Sequence, residues 1–121
     1  MPKSEHLIQD EIRRDVSANC PGIIFRCNAG EAWGGKRVWS EYYGCYIIKD
    51  PRPIKLLPEG FSDLLYFGPK NDTVFVEVKN EKGKVREAQA RFLALMERLG
   101  FRVCVARSAD DAVSFINSRE K

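Results

Sequence analysis

The sequence predicts an α/β fold, a single mixed β-sheet flanked by helices. Three observations carry that prediction. The stretch TVFVEVKN, 73–80, alternates Val74, Val76 and Val78 with Phe75, Glu77 and Lys79, which is the period of a strand. The segment 85–99 spaces Val85, Ala88, Phe92, Leu95, Met96 and Leu99 as one face of a helix. Strand-like and helix-like stretches then interchange along the chain, in the order α-β-(β-rich insert)-β-β-α-β-α.

Each element has its own local signal. Ser4 is placed to cap a helix running to about Ser17, with Leu7, Ile8, Ile12 and Val16 apolar. GIIFRCN, 22–28, reads as a strand. Residues 29–60 are less regular, with glycines at 30, 34, 35 and 44, prolines at 51, 53 and 58, and short β-like pieces around 36–39 and 42–48. A connection that long in a small domain is functional or holds extra strands. FSDLLYF, 61–67, is the next strand, GPKND a turn, and 73–79 the strand after it. A second turn, NEKGK, opens the helix 85–99, which Gly100 stops. FRVCVA, 101–106, reads as a short buried strand, and Ser108 with Asp111 starts a last helix. No internal repeat or low-complexity segment intervenes, and 1–121 reads as one domain.

Composition narrows the chemistry. Hydrophobic residues at 44% and charged residues at 31% place the chain among folded globular proteins rather than disordered ones. No apolar run reaches membrane-spanning length, and the start MPKSEHLIQDEIRRD is too polar for a secretory signal, so a cytosolic location is expected. Cys20, Cys27, Cys45 and Cys104 contain no C-x-x-C spacing, so buried free thiols are expected rather than a zinc site or disulfides. His6 is the only histidine, which disfavours a serine–histidine or cysteine–histidine arrangement. Carboxylates and lysines are left to carry any chemistry. A net charge of +3 is a weak field, but residues 26–55 interleave Arg26, Lys36, Arg37, Lys49, Arg52 and Lys55 with Trp33, Trp39, Tyr42, Tyr43 and Tyr46. Such a mixture suits a phosphate backbone with unstacked bases, or equally a protein interface.

The turn GPKND sets a register. Pairing Phe67 with Thr73 puts Leu65 opposite Phe75 and Asp63 opposite Glu77, on one face with Cβ atoms roughly 5 Å apart. Two facing carboxylates repel, and protonation, solvent, Lys79 or a bound cation would relieve them. A solvated sheet edge, with Glu77 paired to Lys79, fits these three residues too. Glu5 lies in line with Ile8, Ile12 and Val16 on the first helix, and Gln89 falls inside the apolar arc of the long one. An acid favouring the helix dipole and a glutamine at the edge of the stripe are the plain readings of each. Together with the acid pair they outline a polar pocket.

SEHLIQ, FRCNAG, GFSDLLYF and VFVEVKNEKGKVREAQ together resemble the virus-type replication–repair nuclease (VRR-NUC) domain of the PD-(D/E)XK nucleases, in order and over nearly the whole chain. The resemblance implies a restriction-endonuclease-like core and cleavage of phosphodiester bonds that depends on a divalent metal, Mg2+ or Mn2+. It implies that Asp63 and Glu77 bind the metal with the backbone carbonyl of Val78, that Lys79 is the catalytic lysine, and that Glu5 and Gln89 complete the site. Ser62 stands where the superfamily name has proline. Small stand-alone members resemble homodimers that cut four-way DNA junctions, so junction DNA and a second copy are the expected partners. Lys82, Lys84 and Arg86, with Lys36 and Arg37 in the insert, are candidate DNA contacts, although a solvated turn explains the first three as well. A flap or duplex nuclease, a catalytically silent DNA-binding module and a host-protein-binding protein are the alternatives.

Overall fold

The computed structural model describes residues 2–119. Its elements are α1 (Glu5–Asn19), β1 (Ile23–Arg26), β2 (Glu31–Ser40), β3 (Cys45–Lys55), β4 (Leu64–Gly68), β5 (Asp72–Val78), α2 (Glu87–Arg98), β6 (Arg102–Ala106) and α3 (Ala109–Asn117). Four strands form a mixed sheet in the order β1-β4-β5-β6. β4 runs antiparallel to both β1 and β5, and β6 runs parallel to β5. The parallel pair needs a crossover, and α2 supplies it.

The alternation seen in the sequence decides which face is which. Val74, Val76 and Val78 are all fully buried and pack with Leu64, Tyr66, Cys104 and Ala106 beneath Ile8, Ile12 and Val16 of α1 and Ala112 and Ile116 of α3. Ser4 caps α1 by accepting a hydrogen bond from the Leu7 N–H, and Ser108 caps α3 by accepting one from the Asp111 N–H. At the end of β5 where the chain enters from β4, Arg102 Nη1 donates to both carboxylate oxygens of Asp72, at 3.0 and 2.9 Å.

The other face carries Phe75, Glu77 and Lys79. Phe75 sits edge-on to Phe61, Phe92 and Phe101, with ring centroids 5.9, 5.5 and 5.6 Å away. This cluster seats α2, but shallowly. The stripe of Val85, Ala88, Phe92, Leu95, Met96 and Leu99 was expected to face inward, yet none of these is fully buried, the neighbouring Leu93 is the buried residue of the helix, and Leu95 and Leu99 stay exposed.

Three expectations need correction here. The helix starts at Glu87, two residues later than Val85, because Arg86 is still extended and serves as the N-cap. The insert does not merely hold short strand-like pieces. β2 and β3 form a long antiparallel ribbon, a second sheet of its own. β3 passes through Pro51 and Pro53 because it has a partner on one side only, so a missing N–H can face solvent. The ladder shifts register between Gly34 and Lys36, and Asp50 opposite takes a positive φ of 52°. The thiols also differ from expectation. All four are free, but Cys104 alone is buried, and Cys45 at the start of β3 is exposed.

Candidate active site

The observed register is the one the turn implies. Phe67 pairs with Thr73, Leu65 with Phe75 and Leu64 with Val76, so the next step along the ladder sets Asp63 against Glu77. Asp63 lies one residue before β4, and two bonds hold it there. Its carbonyl accepts from the Cys27 N–H at 2.8 Å, extending the β1–β4 ladder. Its carboxylate Oδ2 accepts from the Val78 N–H at 2.8 Å, replacing the backbone partner that β4 no longer supplies. A strand residue presents its N–H and C=O to the same neighbour, so the Val78 carbonyl turns toward the Asp63 side as well. Its side chain points the other way, into the core.

Glu77 is only 1% exposed and Lys79 5%, which removes the solvated-edge reading. Lys79 follows the last residue of β5, but its N–H donates to the Ala106 carbonyl at 3.1 Å and so continues the ladder to β6. That keeps the amine on the face of Glu77, with Nζ 3.5 Å from Glu77 Oε2. The contact is ionic in distance but not a hydrogen bond, and both oxygens of Glu77 lack a hydrogen-bond partner among the described residues. A buried carboxylate without donors is costly. Burial above all, then the neighbouring Asp63 charge, pushes Glu77 up from 4.5 to about 8, and Lys79 works against both.

Those orphaned oxygens test whether the site suits a cation. Glu77 and the half-buried Asp63 converge from adjacent strands, and a hard divalent ion needs only one or two carboxylates, keeping waters for substrate oxygens. Among the described residues no three His, Cys, Asp or Glu side chains form a closed cage. The donor set fits an open magnesium-type site and not a structural one. A hollow between Pro21, Tyr66, Asp72 and Ile116 lies at the other end of β4 and contains none of these groups.

The helices contribute unequally. Glu5, half-buried in the first turn of α1, reaches the site through Gly83. A Cβ on Gly83 would stand 2.6 Å from Glu5 Oε2 and 3.3 Å from Lys79 Cδ, so the two side chains close on one point. Gln89 is half-buried, and its Oε1 accepts from the Arg86 N–H at 2.9 Å, so its oxygen starts the helix. Lys82, Lys84 and Arg86 are exposed on the turn that Gly83 seats against the site. Lys36 and Arg37 lie elsewhere, on β2 of the ribbon.

A family model for the VRR-NUC domain matches residues 23–110. The chain belongs to the VRR-NUC family. This VRR-NUC chain also matches a solved structure described as a VRR-NUC domain, with 21% sequence identity, a TM-score of 0.59, and coverage of 96% of this chain and 97% of that one. Identity that low bears on the fold. Among curated proteins, none matches. VRR-NUC is a nuclease-type family, and the matched span contains Asp63, Glu77, Val78, Lys79 and Gln89. Glu5 lies before it, so its place at the site rests on its approach to Gly83.

The sequence reading missed the residues that fix the turn after β5. Asn80 Oδ1 accepts from the N–H groups of Lys82 and Gly83, at 3.1 and 2.7 Å. Arg107 Nη1 donates to the carbonyls of Asn80 and Gly83, at 2.6 and 2.8 Å. An asparagine three before a glycine after a strand is a turn signal open to reading. Nothing local marks Arg107, which arrives from the far side of α2.

Proposed function

We propose that this VRR-NUC domain is a divalent-metal-dependent, structure-specific DNA endonuclease that hydrolyses phosphodiester bonds, with four-way junctions as substrate and a homodimer as the working form. The observation that carries the reading is buried Glu77 facing Asp63, its oxygens without a hydrogen-bond partner among the described residues and Oε2 3.5 Å from the Lys79 amine.

Asp63, Glu77 and the Val78 carbonyl would hold Mg2+ or Mn2+. Such an ion supplies Lewis acidity, which acidifies water and offsets phosphate charge. The chain's own residues do the rest. Lys79, held beside the acids by its ladder bond, orients the attacking water and stabilises negative charge gathering on the phosphoryl oxygens. A shift of one residue along the strand would turn that amine into the core among the valines. Glu5 orients a water at the same point, and the Gln89 amide nitrogen is a donor for a phosphate oxygen. Lys82, Lys84 and Arg86 meet the flanking backbone from the turn.

Two copies related by a two-fold axis would set two sites at a fixed separation, which suits paired cuts across a symmetric junction. Ile23, Phe25 and Phe67, exposed on the edge strand and its neighbour, offer apolar surface for that pairing. The test compares labelled four-way junction, flap and linear duplex in magnesium, manganese and chelator, for wild type and Lys79→Ala. Metal-dependent junction cleavage lost in the variant supports the reading, and cleavage that persists in chelator or in Lys79→Ala overturns it.

A further inference from the structure

The ribbon has no core. β2 and β3 pair only with each other, and β3 is exposed along its whole length. Two strands alone are marginal in water. This one also shows large aromatics to solvent: Trp33 is 64% exposed, and Tyr42 and Tyr43 at the tip are 89% and 70% exposed.

Its faces are sorted by chemistry. Opposite residues share a face, so Trp39 with Tyr46 and Arg37 with Ile48 form one side, while Lys36 with Lys49 and Val38 with Ile47 form the other. On the first side the Trp39 and Tyr46 rings meet edge-on at 5.1 Å, and the Arg37 guanidinium lies 4.3 Å over Tyr46. On the second, two lysines stand directly opposite each other, a pairing that disfavours the ribbon until an anion lies between them. Residues 31–55 carry five basic and three acidic side chains. Lysine is depleted from the cores of protein interfaces, whereas cations with stacked rings suit single-stranded nucleic acid.

The root of the ribbon points the same way. It leaves the sheet after Cys27, whose N–H holds the Asp63 carbonyl, and a bridge between Ala29 and Leu57 clamps its base. Strands of 10 and 11 residues then reach about 30 Å from beside the acid pair.

We propose that the ribbon is an arm for unpaired DNA: the Trp39–Tyr46–Arg37 face and the Tyr42–Tyr43 tip stack on open bases at a branch, while Lys36 and Lys49 hold a phosphate of the departing strand. The inference rests on the nuclease reading of the adjacent site and adds what the arm recognises, the bases that open where the helices of a branch meet.

Trp33 and Trp39 are the only tryptophans, so their fluorescence reports the arm alone. Wild-type protein in EDTA is titrated with a duplex bearing a thymine flap and with the same duplex blunt-ended. The flap should quench tryptophan and bind about ten-fold more tightly. Tyr42→Ser/Tyr43→Ser and Tyr46→Ala should each cost about ten-fold on the flap by polarisation, and under two-fold on the blunt duplex. Equal quenching by both DNAs, no quenching, or a dimer in sedimentation that these variants dissolve without changing flap preference overturns the proposal. Parallel aliquots in magnesium separate the two readings. Flap-selective quenching without cleavage supports the arm and ends the nuclease assignment, while cleavage with unselective quenching does the reverse.

Discussion

Asp63 Oδ2 accepts a hydrogen bond from the Val78 N–H at 2.8 Å, beside the end of β5 and one residue before β4 begins. One carboxylate thus closes a backbone ladder and faces Glu77. Structure and chemistry at Asp63 are therefore separable by choice of substitution.

Asp63→Asn keeps an acceptor for Val78 and should lose cleavage by a hundred-fold or more while melting close to wild type. Asp63→Ala should lose cleavage and also about 1–3 kcal/mol of stability, since it leaves the strand N–H unpaired. Thermal melts beside a cleavage assay check both, and equal melting points for the two variants would contradict the bond's role.

Glu77 gives the fold a pH dependence with a definite sign. Its folded value near 8 lies above the ordinary 4.5, so the folded state keeps a proton that the unfolded state has released. Stability from this group is full below pH 4.5 and is lost as pH rises toward 8. Metal-free protein should melt lower at pH 8 than at pH 5, and Glu77→Gln should flatten that slope and raise the melting point at pH 8. Manganese should stabilise wild type most at the alkaline end and leave Glu77→Gln nearly unmoved. Melts across pH, with and without manganese, read all three.

Lys79 lowers the proton affinity of Glu77. Lys79→Ala should therefore shift the stability loss to higher pH, besides reducing cleavage by about a hundred-fold to a thousand-fold. DNA binding in chelator should stay within a few-fold of wild type. Wild-type cleavage by this variant, by Asp63→Ala and by Glu77→Ala would end the assignment.

Gly83→Ala tests Glu5. The new methyl would crowd Glu5 Oε2 at 2.6 Å, the movable end of a long side chain, so the fold should tolerate it while the carboxylate swings away. Because the same methyl stands 3.3 Å from Lys79 Cδ, cleavage falling by about ten-fold with an unchanged melting point supports a role for Glu5 only when Glu5→Gln reproduces it. Full activity shows that the acid on α1 serves the helix alone.

The acid pair was legible because β-strands alternate strictly: five turn residues fix the register, the register fixes the face, and Asp63 with Glu77 follows. Gln89 was legible as a residue on an inward arc but not as a helix-starting acceptor, because the true start at Glu87 depends on Arg86 staying extended. The ribbon was misread as irregular because Pro51 and Pro53 argue against a strand unless it is an edge. Arg107 had no signal at all, since its partners Asn80 and Gly83 precede it by a whole helix.

The sequence by itself determined the order of elements, the face that each strand residue takes, and the placement of two acids and an amine on one side of β4 and β5. These follow from period and short loops, which act within a few residues. Only the tertiary structure decided that Glu77 is buried without a hydrogen-bond partner among the described residues, that Glu5 reaches the same point over Gly83, and that the insert stands off as an arm. Burial and convergence depend on which distant surfaces close over a residue, and no local pattern carries that.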